Sequence, residues 1–349
     1  MHGDNYRYLT HGSWIILWPF QLLVLKAYKP NQPWPIFMKS HLHHLRTTAR
    51  MILAGTQHLS PSQAKVDPTP YIIRRVLFIT CALTIAGSTW YIAVNMTTPS
   101  DLTAIYNCSA FFAYVFSILL LGESIRRDKI FSVIIACIGV LIVAYGDTAA
   151  SESDNDTAAD PAAANRALGN MIIGVGSIMY GFYEVVYKKI ACPPAGVSSK
   201  RTITFSNAVG SGLGAVTLLL LWIPIPILHV LGWETFELPR GPAASLMLLN
   251  VFSNAVFSGS FLVLISLTSP VLSSVAALLT IFLVAIVDWL WTGVPLTGAA
   301  VVGGSVITAA FALLAWSTWR EMIEDGERKA LKREDDSDVD TASEDEGTV

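Results

Sequence analysis

Few side chains in this sequence have the chemistry to handle a solute, and most of them lie inside apolar stretches. Glu184 sits in Tyr180-Gly-Phe-Tyr-Glu184-Val-Val-Tyr-Lys188, about one turn from the end of an apolar run. Polar groups inside a membrane are costly, so each is read first as functional. A carboxyl at Glu184 either takes up a proton or contacts a cationic group, or it pairs with Lys188 four residues on. Asn107 lies about two turns into one apolar run and Asn254 near the middle of another. Amides at such depth either bridge helices or hydrogen-bond a solute. Tyr106, Tyr180, Tyr183, Trp90 and Tyr91 either stack on a ring-bearing solute or pack as large buried rings. Tyr106, Asn107, Tyr180, Glu184 and Asn254 are therefore taken as the substrate-binding set. Asp101 opens an apolar run, where a carboxylate caps a helix N-terminus, and Asp288 reads as an interfacial residue near the end of another. Lys188 and Lys189 either draw in an anionic solute or anchor a helix end at the membrane face.

The same inventory argues against an enzyme. His41-Leu-His-His44 has the density of a metal box, but only seven histidines occur and the other four form no second one. Tyr145-Gly-Asp147 has no partner motif for aspartyl chemistry. Cys81, Cys108, Cys137 and Cys192 are scattered without metal or redox spacing. No G-x-x-x-x-G-K-[ST] loop is present, so ATP is not the direct energy source. No catalytic residue, metal or cofactor is expected. A net charge of −3 argues against a nucleic-acid partner.

These residues are carried by membrane helices. The chain is 53% hydrophobic and only 14% charged, against about 25% charge in soluble domains. Its mean hydropathy is +0.51. Leu102–Leu121 and Ile130–Tyr145 are joined by Gly122-Glu-Ser-Ile-Arg-Arg-Asp-Lys129, a link with room only to reverse the chain. Each run approaches the ~20 residues that cross a bilayer, so the pair is a transmembrane hairpin. Further spans are predicted at about 13–28, 76–96, 168–187, 203–223, 243–267, 271–291 and 296–316, making nine helices. Residues 29–75 read as a polar basic link whose middle, Met38–Leu59, forms a surface helix. Basic residues recur at alternate links, which places those links and the C-terminus in the cytoplasm. The stretch 225–242, with Trp233, reads as an interfacial loop. The N-terminal ten residues are polar and carry no secretory signal pattern.

Thr98-Pro99 opens one helix and Thr268-Ser-Pro270 another. Leu-Gly-Glu123 closes the first and Trp-Thr-Gly293 the second, and each is followed by a further span. With Lys188-Lys189, this ordered layout resembles the EamA-type drug/metabolite transporter superfamily, most closely its fungal members, over most of residues 70–317. The fold class is thus an all-α polytopic transmembrane helix bundle of two repeats of about five helices. Residues 1–147 form the first repeat and 168–317 the second. An acidic linker, 148–167, separates them and is predicted disordered, and 318–349 is an acidic, solvated tail. The resemblance implies ten helices with both termini cytoplasmic, so the first repeat is expected to lack its opening helix, through truncation or as a nine-helix variant. It implies a secondary transporter that moves a small polar metabolite by alternating access. A nucleotide-sugar-transporter-like antiporter is the alternative, and a non-transporting truncated protein a further one. Expected partners are a small-molecule solute and the lipid bilayer, with room for a homodimer. The expected location is an endomembrane, vacuole or Golgi, rather than the plasma membrane. Asn155, in Asn155-Asp-Thr157, is a glycosylation acceptor if the linker faces a lumen.

Overall fold

The computed structural model describes residues 10–146, 161–223, 241–293 and 295–345, with isolated positions between 223 and 241. Asp147 and Asn155 lie outside the described residues, as does most of the expected loop at 225–242. The described residues contain helices and no strand. A 3₁₀ turn, Ser13–Ile16, leads into α1 (Leu17–Ala27). There follow α2 (Trp34–Ala54), α3 (Thr69–Ala93), α4 (Pro99–Asn107) and α5 (Ser109–Phe116), the last two nearly continuous and extended by a π-turn to Leu121. The remainder are α6 (Arg127–Tyr145), α7 (Pro161–Ala191), α8 (Ser199–Leu221), α9 (Pro242–Leu267), α10 (Pro270–Thr292) and α11 (Gly298–Asp345).

Among the described residues, seven helical stretches are long and apolar enough to cross a bilayer: 69–93, 101–121, 127–145, 199–220, 242–267, 270–291 and 298–321. The chain is an integral multi-pass membrane protein. Two of the nine expected spans are not among the seven. The first, 13–28, breaks into the 3₁₀ turn and an 11-residue helix, too short for the roughly 20 residues a span needs. The other, α7, carries Asn170, Ser177, Glu184 and two lysines, which lower its hydropathy. The expected surface helix is longer at its start: Pro35 sits in the first turn and Gly55, at φ +67°, stops the helix. Its Phe37, His41, Thr48, Ala49 and Ile52 are buried at helical spacing. α7 begins at Pro161, inside the expected linker, and α11 stays helical to Asp345, within the expected acidic, solvated tail. That tail is rich in Glu, Lys, Arg and Ala, all strong helix formers, and Arg320 pairs with Glu324 one turn on at 3.3 Å.

The punctuation of one hairpin recurs in another. Thr98 caps α4 by accepting the Asp101 N–H at 3.1 Å, and Ser269 caps α10 by accepting the Leu272 N–H at 3.2 Å. Gly122 and Gly293 follow the helix ends at φ +70° and +74°. Next come α6 from Arg127 and α11 from Gly298. All three landmarks shift by 171 positions. α6 and α11 pack together at Gly139 and Gly303, where a Cβ on Gly139 would stand 3.0 Å from the Gly303 carbonyl. One core cluster joins α3, α7, α8 and α9, and a second joins α5, α6, α10 and α11. α7 lies between them. It touches α5 so closely that a Cβ on Gly181 would sit 2.7 Å from Ala113 N and 2.8 Å from Ser109 O.

Candidate functional site

That close approach sets Glu184, one turn beyond Gly181, in the interior. Glu184 is fully buried. One carboxyl oxygen accepts the Ser274 hydroxyl from α10. The other has no hydrogen-bond partner, and neither does the buried hydroxyl of Tyr183 beside it. Among the described residues no cationic nitrogen lies within 4.0 Å of Glu184. A chain of rings runs away from it: Tyr183 to Tyr180 at 5.7 Å, Tyr180 to Tyr106 at 5.3 Å, and Tyr106 to Trp90 at 4.9 Å. Phe261 stacks on Tyr180 at 6.3 Å. The far end of the row opens into a cavity of about 210 Å³ lined by Tyr106, Asn107, Trp90, Tyr91, Leu83 and others. A buried carboxyl at the end of a row of rings is suited to a proton or to a cationic group, since ring faces and carboxylate attract the same charge.

Of the five residues expected to bind solute, the fold thus brings Tyr106, Tyr180 and Glu184 together and puts Asn107 on the adjoining cavity. The Asn107 amide donates to its own helix, at Thr103 O, 2.8 Å away. Asn254 stands apart: its Oδ1 accepts from Trp14 Nε1 at 3.1 Å, which ties α9 to the 3₁₀ turn as a helix bridge. The pairing of Glu184 with Lys188 does not form. Lys188 Nζ donates to the carbonyls of Ile265 and Ser266 at 3.0 and 2.8 Å, and Lys189 donates to Leu120 O at 2.7 Å. Both lysines therefore serve the carbonyl-bearing ends of other helices. Ser274 and Phe261 were not among the expected site residues. The Ser273-Ser274 pair inside a strongly apolar helix was the available signal for the first.

Two ionic knots flank this region. Asp101 does not cap its helix. It is buried and takes Arg166 Nε at 2.6 Å, Asn170 Nδ2 at 3.0 Å and the Tyr145 hydroxyl. This joins α4, α6 and α7. Near the other end of α6, Lys129 is buried between Glu321 at 2.6 Å and Glu123 at 3.2 Å. Arg126 grips Glu324 with both terminal nitrogens, at 3.0 and 3.3 Å. These contacts hold α6 against α11. Outside the spans, Arg126 keeps the Glu324 carboxyl below the usual carboxylate range. The side chain of Asp288 lies outside the described residues. The described residues contain no group of three His, Cys, Asp or Glu placed to hold a metal.

Residues 34–145 match the model of the EamA-like transporter family. The match begins at α2, which therefore lies inside the family region and not in a link ahead of it. The chain is similar to an uncharacterized vacuolar membrane protein of Saccharomyces cerevisiae, with 24% identity over 242 residues, 66% of this chain and 58% of that protein. It is similar to an uncharacterized transporter of Schizosaccharomyces pombe, with 27% identity over 227 residues, 64% of this chain and 63% of the relative. A thiamine-repressible mitochondrial transport protein of S. cerevisiae is 26% identical over 223 residues, 64% of this chain and 57% of its own length. In each case the chain covers less than two thirds of the relative.

Proposed function

With residues 34–145 an EamA-like transporter family region, we propose that the chain is a secondary transporter moving a small polar metabolite across an endomembrane. The two repeats, 1–147 and 168–317, rock about a site near the membrane midplane. Tyr106, Tyr180 and Glu184 hold the solute, and Asn107 lines its approach. The observation that carries this reading is Glu184: fully buried, one oxygen unpartnered, with no cationic nitrogen within 4.0 Å among the described residues, at the end of a row of rings drawn from both halves of the chain. A structural carboxyl in an apolar helix would be expected to have a cation or a full set of donors. A carboxyl kept incomplete is suited to a ligand's ammonium group or to a coupling proton.

The test is thermal stability of the purified chain in lipid nanodiscs against amino acids, aromatic and quaternary ammonium compounds, nucleotide sugars and organic acids. Binding to the folded state raises Tm with ligand concentration. A rise for the cationic or amine-bearing class, absent in Glu184→Gln, is expected. A rise that survives Glu184→Gln, or a rise for organic acids alone, refutes Glu184 as the solute's partner.

A further inference from the structure

A second cavity, of about 410 Å³, lies between α1, α2 and α8 and shares no lining residue with the aromatic row. Its charge-bearing wall is Lys29, His41, His44, Lys200 and Arg201, and no carboxylate lines it. Among the described residues none of these three Lys and Arg side chains has a carboxylate oxygen within 4.0 Å. The wall also includes the start of α8. Ser198 precedes this 23-residue helix and lines the cavity with Lys200 and Arg201. The first N–H groups of a helix and the positive end of its dipole favour an anion at that place.

The arginine of this wall is held, not loose. Arg201 Nη2 donates to His44 Nδ1 at 3.3 Å, and Nη1 lies 3.7 Å from the Met51 sulfur. The guanidinium is thereby fixed against α2 with further N–H groups to spare, since arginine carries five donors. His41 is buried, and its Nε2 accepts the Trp18 indole N–H at 2.9 Å. Its ring proton is therefore on Nδ1, as a donor. Arg201 and His41 thus offer this wall a positive charge and an N–H.

We propose that this cavity binds a phosphorylated anion, with its phosphate seated on Lys29, Lys200 and Arg201 at the N-terminus of α8. The chemistry of the wall favours phosphate: a planar arginine fork, two lysines and a helix N-terminus line one cavity. The volume falls in the range of small-molecule sites, about 300–1,000 Å³, and leaves room for a carrier of sugar size. That chemistry is shared by a phosphorylated lipid headgroup and a soluble phosphorylated metabolite. The site stands apart from the proposed solute route and does not depend on it.

The experiment uses the full chain in phosphatidylcholine nanodiscs. The soluble arm adds inorganic phosphate and, separately, inositol 1,4,5-trisphosphate. The lipid arm incorporates phosphatidylinositol 4-phosphate, with phosphatidylserine as the control for charge alone. The expected result is a rise in Tm in at least one arm beyond any given by phosphatidylserine. Saturation by a soluble probe assigns a metabolite, and a response to the phosphoinositide alone assigns a headgroup. In the responding arm Arg201→Ala weakens binding about tenfold or more, the scale of a lost charged hydrogen bond. Arg201→Lys weakens it less, and Lys65→Ala, on the separate turn Gln63–Lys65, leaves it unchanged. Lys29→Ala repeats the test at an exposed residue outside any helix, should Arg201→Ala fail to fold. No rise in either arm overturns the proposal, as does an equal loss in Lys65→Ala or unchanged binding in Lys29→Ala.

Discussion

Two glycines on α7, seven residues apart, set opposite expectations for the same substitution. Gly174 faces open space, with its nearest neighbour for a Cβ at 4.0 Å, the Ile105 Cγ2. Gly174→Ala therefore gains only helix propensity, about 0.5–1 kcal/mol. At Gly181 the same methyl meets Ala113 N at 2.7 Å, Ser109 O at 2.8 Å and Phe112 Cβ at 2.9 Å. Two of the three are backbone atoms of α5, which cannot swing aside. Ordinary contact needs α7 and α5 to part by about 0.7 Å or more, at an overpacking cost of about 1–3 kcal/mol against the same propensity gain. The variants should differ by about 1–3 kcal/mol, with Gly174→Ala above the native Tm and Gly181→Ala at or below it. Gly181 also follows Tyr180 directly and is one turn from Glu184, so its variant should lose solute-dependent stabilisation while Gly174→Ala keeps it. The assay is thermal unfolding in nanodiscs with and without the responding solute. Gly181→Ala as stable as Gly174→Ala would refute the reading of α7 as pinned backbone to backbone against α5.

Lys129→Met should cost about 3 kcal/mol, the lower end for a broken buried ion pair, because Glu123 and Glu321 still reach solvent at 19% and 22% exposure. Adding Glu321→Gln should recover part of that loss, and an unchanged Tm in Lys129→Met would remove the knot from the account of stability. The pH response near neutrality should come from α2. Burial, and then the neighbouring His44, lower the basicity of His41, and burial followed by Arg201 lowers that of His44. The folded state thus binds fewer protons than the unfolded chain, and stability present above about pH 6.5 is lost as pH falls below that value. His41→Gln should flatten part of this fall, and an identical Tm profile in the variant would assign the pH response elsewhere.

The spans were legible because hydropathy over about 20 residues is a local property, and the hairpin punctuation because Pro and Gly act at single positions. Glu184 stood out for the same reason: a carboxyl inside an apolar helix needs no partner to be noticed. What completes it was hidden, since Ser274 lies 90 residues away and no local rule links the two. Local rules also misplaced Lys188. The i,i+4 spacing offers it Glu184, but the end of α9 offers two carbonyls, at 3.0 and 2.8 Å. A charged donor satisfying two otherwise open helix-end acceptors outweighs one surface-type pair of about 0.2–0.5 kcal/mol.

Asp101 shows how two similarly punctuated hairpins can correct a reading that one alone allows. Taken singly, an acid in the first turn of α4 is a reasonable cap. The position 171 residues on is Leu272, which has no capping group, yet its N–H is satisfied by Ser269 in the way that of Asp101 is by Thr98. The hydroxyl before each proline therefore does the capping in both units, and the carboxylate at Asp101 is surplus to the helix. Its burial then requires other partners, since an uncompensated charge there would be costly. Those partners, Arg166, Asn170 and Tyr145, come from α6 and α7. The acid that differs between the two hairpins is thus the one that joins α4 to α6 and α7.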